Sequence, residues 1–76
     1  MTIQLNAKYL GSYSGSFKFE DDTYKTIVFP KCSSDLIQKF ELLTEKNINK
    51  NFKVGYIYFN DQDVRIINDL ILIESK

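Results

Sequence analysis

Tyr24-Lys25-Thr26-Ile27-Val28-Phe29-Pro30, followed by Lys31-Cys32-Ser33-Ser34-Asp35-Leu36-Ile37-Gln38-Lys39-Phe40-Glu41-Leu42-Leu43, is where the period of the chain changes. Up to Phe29 the run is rich in β-branched and aromatic residues, the composition of a strand. Pro30 has no amide proton to give a ladder and closes that strand. Beyond Ser33, Leu36, Ile37, Phe40 and Leu43 recur at helical spacing, with Gln38, Lys39, Glu41 and Glu45 on the other side. This predicts one amphipathic helix of about three turns. Ser33, Ser34 or Asp35 is placed to cap it, and Asp35 with Gln38 has the form of a capping box. The polar run Asn47-Ile48-Asn49-Lys50-Asn51 ends it, because Asn tolerates the left-handed conformation.

Working back from Tyr24, the acidic turn Glu20-Asp21-Asp22-Thr23 joins that strand to one in which Phe17 and Phe19 alternate with Lys18 and Glu20. The two form a hairpin. Further back, Ile3, Leu5, Ala7 and Tyr9 alternate with Gln4, Asn6 and Lys8 as a half-buried strand. Gly11-Ser12-Tyr13-Ser14-Gly15-Ser16 between them reads as a flexible loop or a bulged, bent continuation of the strand. On the other side of the helix, Phe52, Val54, Tyr56 and Tyr58 alternate with Lys53, Gly55, Ile57 and Phe59 as a fourth strand. The turn Asn60-Asp61-Gln62-Asp63 leads into a fifth, Val64 to Glu74, whose alternation breaks at Ile67-Asn68-Asp69 and predicts a bulge there.

Composition narrows the classes of function. The chain has 76 residues, with 10 Lys+Arg against 10 Asp+Glu, no His and one Cys, and it reads as a single domain over 1–76. Five Tyr and six Phe supply the apolar surface that disordered chains lack. Cys32 has no partner for a disulfide, which points to a reducing, cytoplasmic setting. The start, Met1 to Asn6, has neither a basic n-region nor an apolar h-region, and no stretch approaches the length of a membrane span. Formal neutrality argues against duplex DNA binding, which draws on an excess of Lys and Arg, although a local basic groove remains compatible.

Three strands, a helix and a two-stranded hairpin is the order of the OB-fold, a small five-stranded Greek-key barrel with its helix between strands three and four. On Tyr24–Phe29, on Phe52-Lys53-Val54-Gly55 and on Val64–Leu72, the chain resembles small OB-fold single-stranded DNA-binding proteins of phage and plasmid type. The resemblance implies binding of single-stranded DNA or RNA with little sequence preference. It departs from that family in a Ser-rich, uncharged loop between the first two strands and in having no Trp.

Aromatic residues interleaved with Lys suit such a role, since exposed rings stack on bases and cations follow the phosphates. The candidate site is Tyr13, Lys18, Tyr24, Lys25, Tyr56, Tyr58 and Arg65, with Tyr9, Phe17 and Phe19 as further candidate rings and Lys8 and Lys53 as further cations. Tyr13 ranks first because it falls in the Gly/Ser loop, with Lys18 and Lys25 expected beside it. A barrel this small needs several large side chains in its interior, so at least half of the rings are expected to be core, with Phe29, Phe40 and Phe52 the firmest.

Other chemistry is sparse. Without His there is no imidazole base to activate Cys32, and no enzyme activity or cofactor is expected. The Glu20-Asp21-Asp22 cluster and the Asp61/Asp63 pair read as solvated turns rather than cation sites. The alternative to nucleic acid is a protein partner: a small phage- or plasmid-encoded inhibitor of a host protein, or a homodimer. Leu10, Ile57, Phe59, Ile71 and Ile73, on faces opposite the expected core, motivate it.

Overall fold

The structure is a computed structural model that describes residues 2–73. It is mainly β, with strands β1 (Thr2–Tyr13), β2 (Ser16–Asp21), β3 (Thr26–Phe29), β4 (Lys31–Cys32), β5 (Asn51–Phe59) and β6 (Val64–Ile73), and one short helix, α1 (Ser34–Lys39). Glu74, the expected end of the last strand, lies outside the described residues. All six strands belong to one sheet in the order β3-β2-β1-β5-β6-β4. Every pairing is antiparallel except β4 with β6, where Lys31 faces Ile66 and Cys32 faces Ile67.

The expected five-stranded barrel is thus an open six-stranded sheet, and Pro30 is the reason. With no amide donor and a fixed φ, it divides the expected third strand into β3, which pairs with β2, and β4, which pairs with β6. These two strands stand at opposite ends of the sheet, yet a single residue joins them, a span of at most about 7 Å. The sheet must therefore curl until its ends meet. No ladder joins β3 to β6, so the curl stays open between them.

Inside the curl lie Ala7, Tyr9, Phe17, Phe19, Phe29, Leu42, Phe52, Val54, Ile67 and Leu70. Phe19 is at the centre: its ring is 5.0 Å from Tyr9, 5.6 Å from Phe29 and 6.2 Å from Phe52, the last two edge-on. Tyr9, Phe17 and Phe19 are therefore core residues and not stacking platforms. The Tyr9 hydroxyl is satisfied by donating 2.6 Å to the Leu42 carbonyl oxygen, and burial pushes its pKa up. Phe29 and Phe52 are core as expected, whereas Phe40 is only half-buried, with its ring 5.3 Å from Phe52.

The helix is shorter than its pattern predicts. Ser33 is the N-cap but makes no side-chain cap hydrogen bond, so no capping box forms. The helix stops at Lys39, and Glu41 adopts a left-handed φ of 49°. That reversal turns Leu42 inward and Leu43 outward, leaving Leu43 68% exposed where helical periodicity placed it in the core. Asn47, itself buried, donates from Nδ2 to the Phe40 carbonyl at 2.6 Å and closes this turn on itself, while the Tyr9 hydroxyl ties Leu42 to the sheet.

Two irregularities shape the surface. β1 continues through a bulge between Tyr9 and Gly11 to Tyr13, and Ser14 and Gly15, both at positive φ, make a two-residue hairpin turn. Tyr13 therefore ends a strand instead of riding a loop. The second is the bulge predicted at Ile67-Asn68-Asp69: Tyr56 faces Ile67 and Gly55 faces Asp69, so Asn68 is the extra residue. A Cβ on Gly55 would lie 3.0 Å from the Asp69 Cβ, so the backbones approach here as closely as glycine allows.

Candidate nucleic-acid interface

Where β3 and β6 diverge, a cleft of about 360 Å³ opens, lined by Lys25, Thr26, Ile27 and Val28 on one side and Tyr56 and Arg65 on the other, with Asp21 at its end. Three of the seven candidate residues, Lys25, Tyr56 and Arg65, meet in it. Each is positioned by local structure. Asp21 Oδ1 accepts hydrogen bonds from the Thr23 amide (2.9 Å), the Thr23 hydroxyl (2.7 Å) and the Lys25 amide (2.9 Å), fixing the turn that presents Lys25. The Thr23 and Lys25 bonds hold the Asp21 carboxyl below its ordinary pKa, so it is ionised and committed to the turn. The bulge beside Gly55 sets Tyr56, whose half-buried ring packs 5.1 Å from Phe29.

Tyr58 stands beside the cleft. It faces Arg65 directly across the β5–β6 ladder, and the Arg65 guanidinium carbon sits 5.1 Å from its ring centroid. Its hydroxyl donates 2.7 Å to Asp63 Oδ1 in the following turn, which raises the phenol pKa and fixes the ring from its far end. A fourth candidate therefore joins the group through a cation–π contact.

Tyr13 and Lys18 form a second, separate unit. Lys18 Nζ lies 4.6 Å over the Tyr13 ring, which is 55% exposed. Lys18 is beside Tyr13 as expected, but Lys25 is not: it lies past the other end of β2, about 17 Å away at ~3.3 Å per residue. What links the two units is Val28, which pairs with Lys18 across β2–β3 and also lines the cleft. Tyr24 belongs to neither. At a left-handed φ of 65° and 84% exposed, it borders a different hollow of about 420 Å³, whose lining includes Glu20, Asp21 and Asp22. Lys8 lines the same hollow, and Asp21 borders both it and the cleft.

Among the described residues the only ion pair within 4.0 Å is Lys46 with Glu41, far along the chain, so Lys18, Lys25 and Arg65 have no carboxylate that close. Val28 is a contributor that the sequence reading passed over, and Asp63, read there only as part of a solvated turn, ties down the Tyr58 hydroxyl. The signal for Asp63 was present, a tyrosine five residues before an aspartate across a tight turn. Cys32 is not part of the site: burial pushes its thiol up to about 11, away from the reactive range. No protein-family model, curated protein or solved structure matches this chain.

Proposed function

We propose that this protein binds single-stranded nucleic acid with little sequence preference, on an OB-like Greek-key scaffold. The scaffold reading counts β3 and β4 as one strand interrupted at Pro30, which leaves β2 at one end of the sheet and joins β6 in parallel at the other. The observation that carries the function is the meeting of Lys25, Arg65, Tyr56 and Tyr58 at one open cleft, where neither cation has an ion pair within 4.0 Å among the described residues. Bases stack on Tyr58 and Tyr13, phosphates run past Arg65, Lys25 and Lys18, and Tyr56 forms the floor. Stacking contributes about 1 to 3 kcal/mol per base without reading its identity.

The test is a titration with oligo-dT of about 20 nucleotides, followed by tyrosine fluorescence at several salt concentrations, a length that exceeds one site of about 4 to 16 nucleotides. Quenching is expected. At about 0.7 released counterions per single-strand phosphate, three cations give a slope of about −2 for log K against log salt, and Lys25→Ala makes it shallower by about 0.7. No response at low salt would overturn the reading in favour of a protein partner, such as a host protein that this chain inhibits. Exposed Val28, Phe59 and Ile71 would then be the first surface to examine.

A further inference from the structure

We infer that the free edge of β3 holds the pairing edge of an unpaired base, with the Thr26 carbonyl accepting from the base and the Val28 amide donating to it. This admits single strands of any sequence and excludes duplex. It rests on the nucleic-acid reading and deepens it.

The directions of the backbone groups follow from the ladders. The Asp21 amide donates 3.0 Å to the Lys25 carbonyl, one step beyond the Glu20–Thr26 pair. Bonded and non-bonded pairs alternate along an antiparallel ladder, so Phe19 with Ile27 and Phe17 with Phe29 are the bonded ones. Thr26 and Val28 therefore direct their N–H and C=O groups away from β2. The phase agrees across the sheet: the Tyr9 amide donates to the Lys50 carbonyl, so Tyr9 bonds towards β5, Lys8 towards Glu20 on β2, and Asp21 is left to bond towards β3. Among the described residues, no strand pairs with the outer side of β3.

The cleft runs along this edge. Successive residues of a strand point to opposite faces, yet Thr26, Ile27 and Val28 all line the cleft, which places it beside the strand and not over one face. Thr26 and Val28 are both exposed. With Lys25 before it and Pro30 after it, this four-residue edge is guarded against the strand of another chain. A base asks for less, one acceptor beside one donor. The Thr26 carbonyl and the Val28 amide offer that pair on the same side of the chain, flanking Ile27. Each base has a donor next to an acceptor on its pairing edge: N3–H beside O4 in thymine, the 4-amino group beside N3 in cytosine, the 6-amino group beside N1 in adenine, N1–H beside O6 in guanine. The edge thus accepts any of them without choosing. In a duplex the same groups already bond to the opposite strand, and Lys25 and Arg65, which line the cleft too, are left to meet the flanking phosphates.

The test compares oligo-dT of about 20 nucleotides with the same oligomer methylated at N3 of every thymine, which keeps the rings and the phosphates and removes the donor. The methylated strand is expected to bind the unaltered chain about 3- to 10-fold more weakly, the effect of one net hydrogen bond. Val28→Pro deletes an amide that faces away from β2, a position where an edge strand tolerates proline, and is expected to weaken oligo-dT binding by a similar factor. Val28→Ala keeps that amide, and Thr26→Pro keeps both the Thr26 carbonyl and the Val28 amide, so both are expected to bind much as the unaltered chain does. Equal binding of the two oligomers, or a folded Val28→Pro chain that binds oligo-dT undiminished, overturns the inference and leaves the nucleic-acid reading standing. If Val28→Pro does not fold, the two oligomers on the unaltered chain still decide. Failure of both oligomers to bind at low salt overturns the reading itself, and this inference with it.

Discussion

Phe19→Ala is expected to remove about 3 to 5 kcal/mol of stability, the usual cost of emptying a phenylalanine site in a packed core. The ring is fully buried and in contact with Tyr9, Phe29 and Phe52, residues drawn from β1, β3 and β5. No single neighbour can collapse into the void without leaving another. A folded chain of 76 residues has about 4 to 11 kcal/mol in total, so the loss is from about a quarter of the stability to all of it. Urea denaturation checks this, with the midpoint moving to lower denaturant in proportion to the stability lost. A loss below about 1 kcal/mol would mean that Phe19 is not the centre on which the curled sheet packs.

Tyr58→Ala carries the second large effect, on binding rather than on stability. Its ring is accessible on the surface, with Arg65 against it and Asp63 holding its hydroxyl, so removing it deletes a stacking platform and leaves Arg65 without its seat. One lost base stack corresponds to about 5- to 150-fold weaker oligo-dT binding. Tyr58→Phe keeps the ring and loses only the tether to Asp63, and its affinity is expected to stay much nearer to that of the unaltered chain. Equal losses from the two substitutions would assign the effect to the hydroxyl and argue against stacking. Thermal melts run alongside separate binding from folding, since Tyr58 lies outside the buried cluster.

How much of this was legible in the sequence differs from element to element. The alternations around Tyr9, Phe19, Val54 and Leu70 marked the strands because a half-buried strand leaves a period of two, and the break at Asn68 marked the bulge for the same reason. Pro30 was read as the end of a strand, but loss of one donor does not say whether the chain leaves the sheet or changes partner. That depends on β6, more than thirty residues later. The helix was overextended because periodicity cannot sense a left-handed residue: Glu41 reverses the chain, and the Asn47 and Tyr9 bonds that hold the reversal come from distant positions.

The site shows the same limit. Tyr9, Phe17 and Phe19 stand in the same period-two alternation as Tyr56 and Tyr58, so periodicity could not separate core rings from surface rings. Burial separates them. Tyr56 and Tyr58 extend β5 beyond the point where Phe52 and Val54 fill the interior, and the bulge turns Arg65 to the same side. The meeting of Lys25 with Arg65 was illegible for a simpler reason. It needs the gap left between β3 and β6, which exists because the sheet stays open after Pro30.

The most direct test of the central claim, that this gap is where a single strand of nucleic acid lies, is amide and tyrosine-ring chemical-shift mapping during addition of oligo-dT. The largest changes are expected at Lys25, Val28, Tyr56, Tyr58 and Arg65, with a second group at Tyr13 and Lys18 and little change at Tyr24 or Ile71. Shifts centred on Tyr24 or on the outer edge of β6, or no shifts at low salt, would contradict the account.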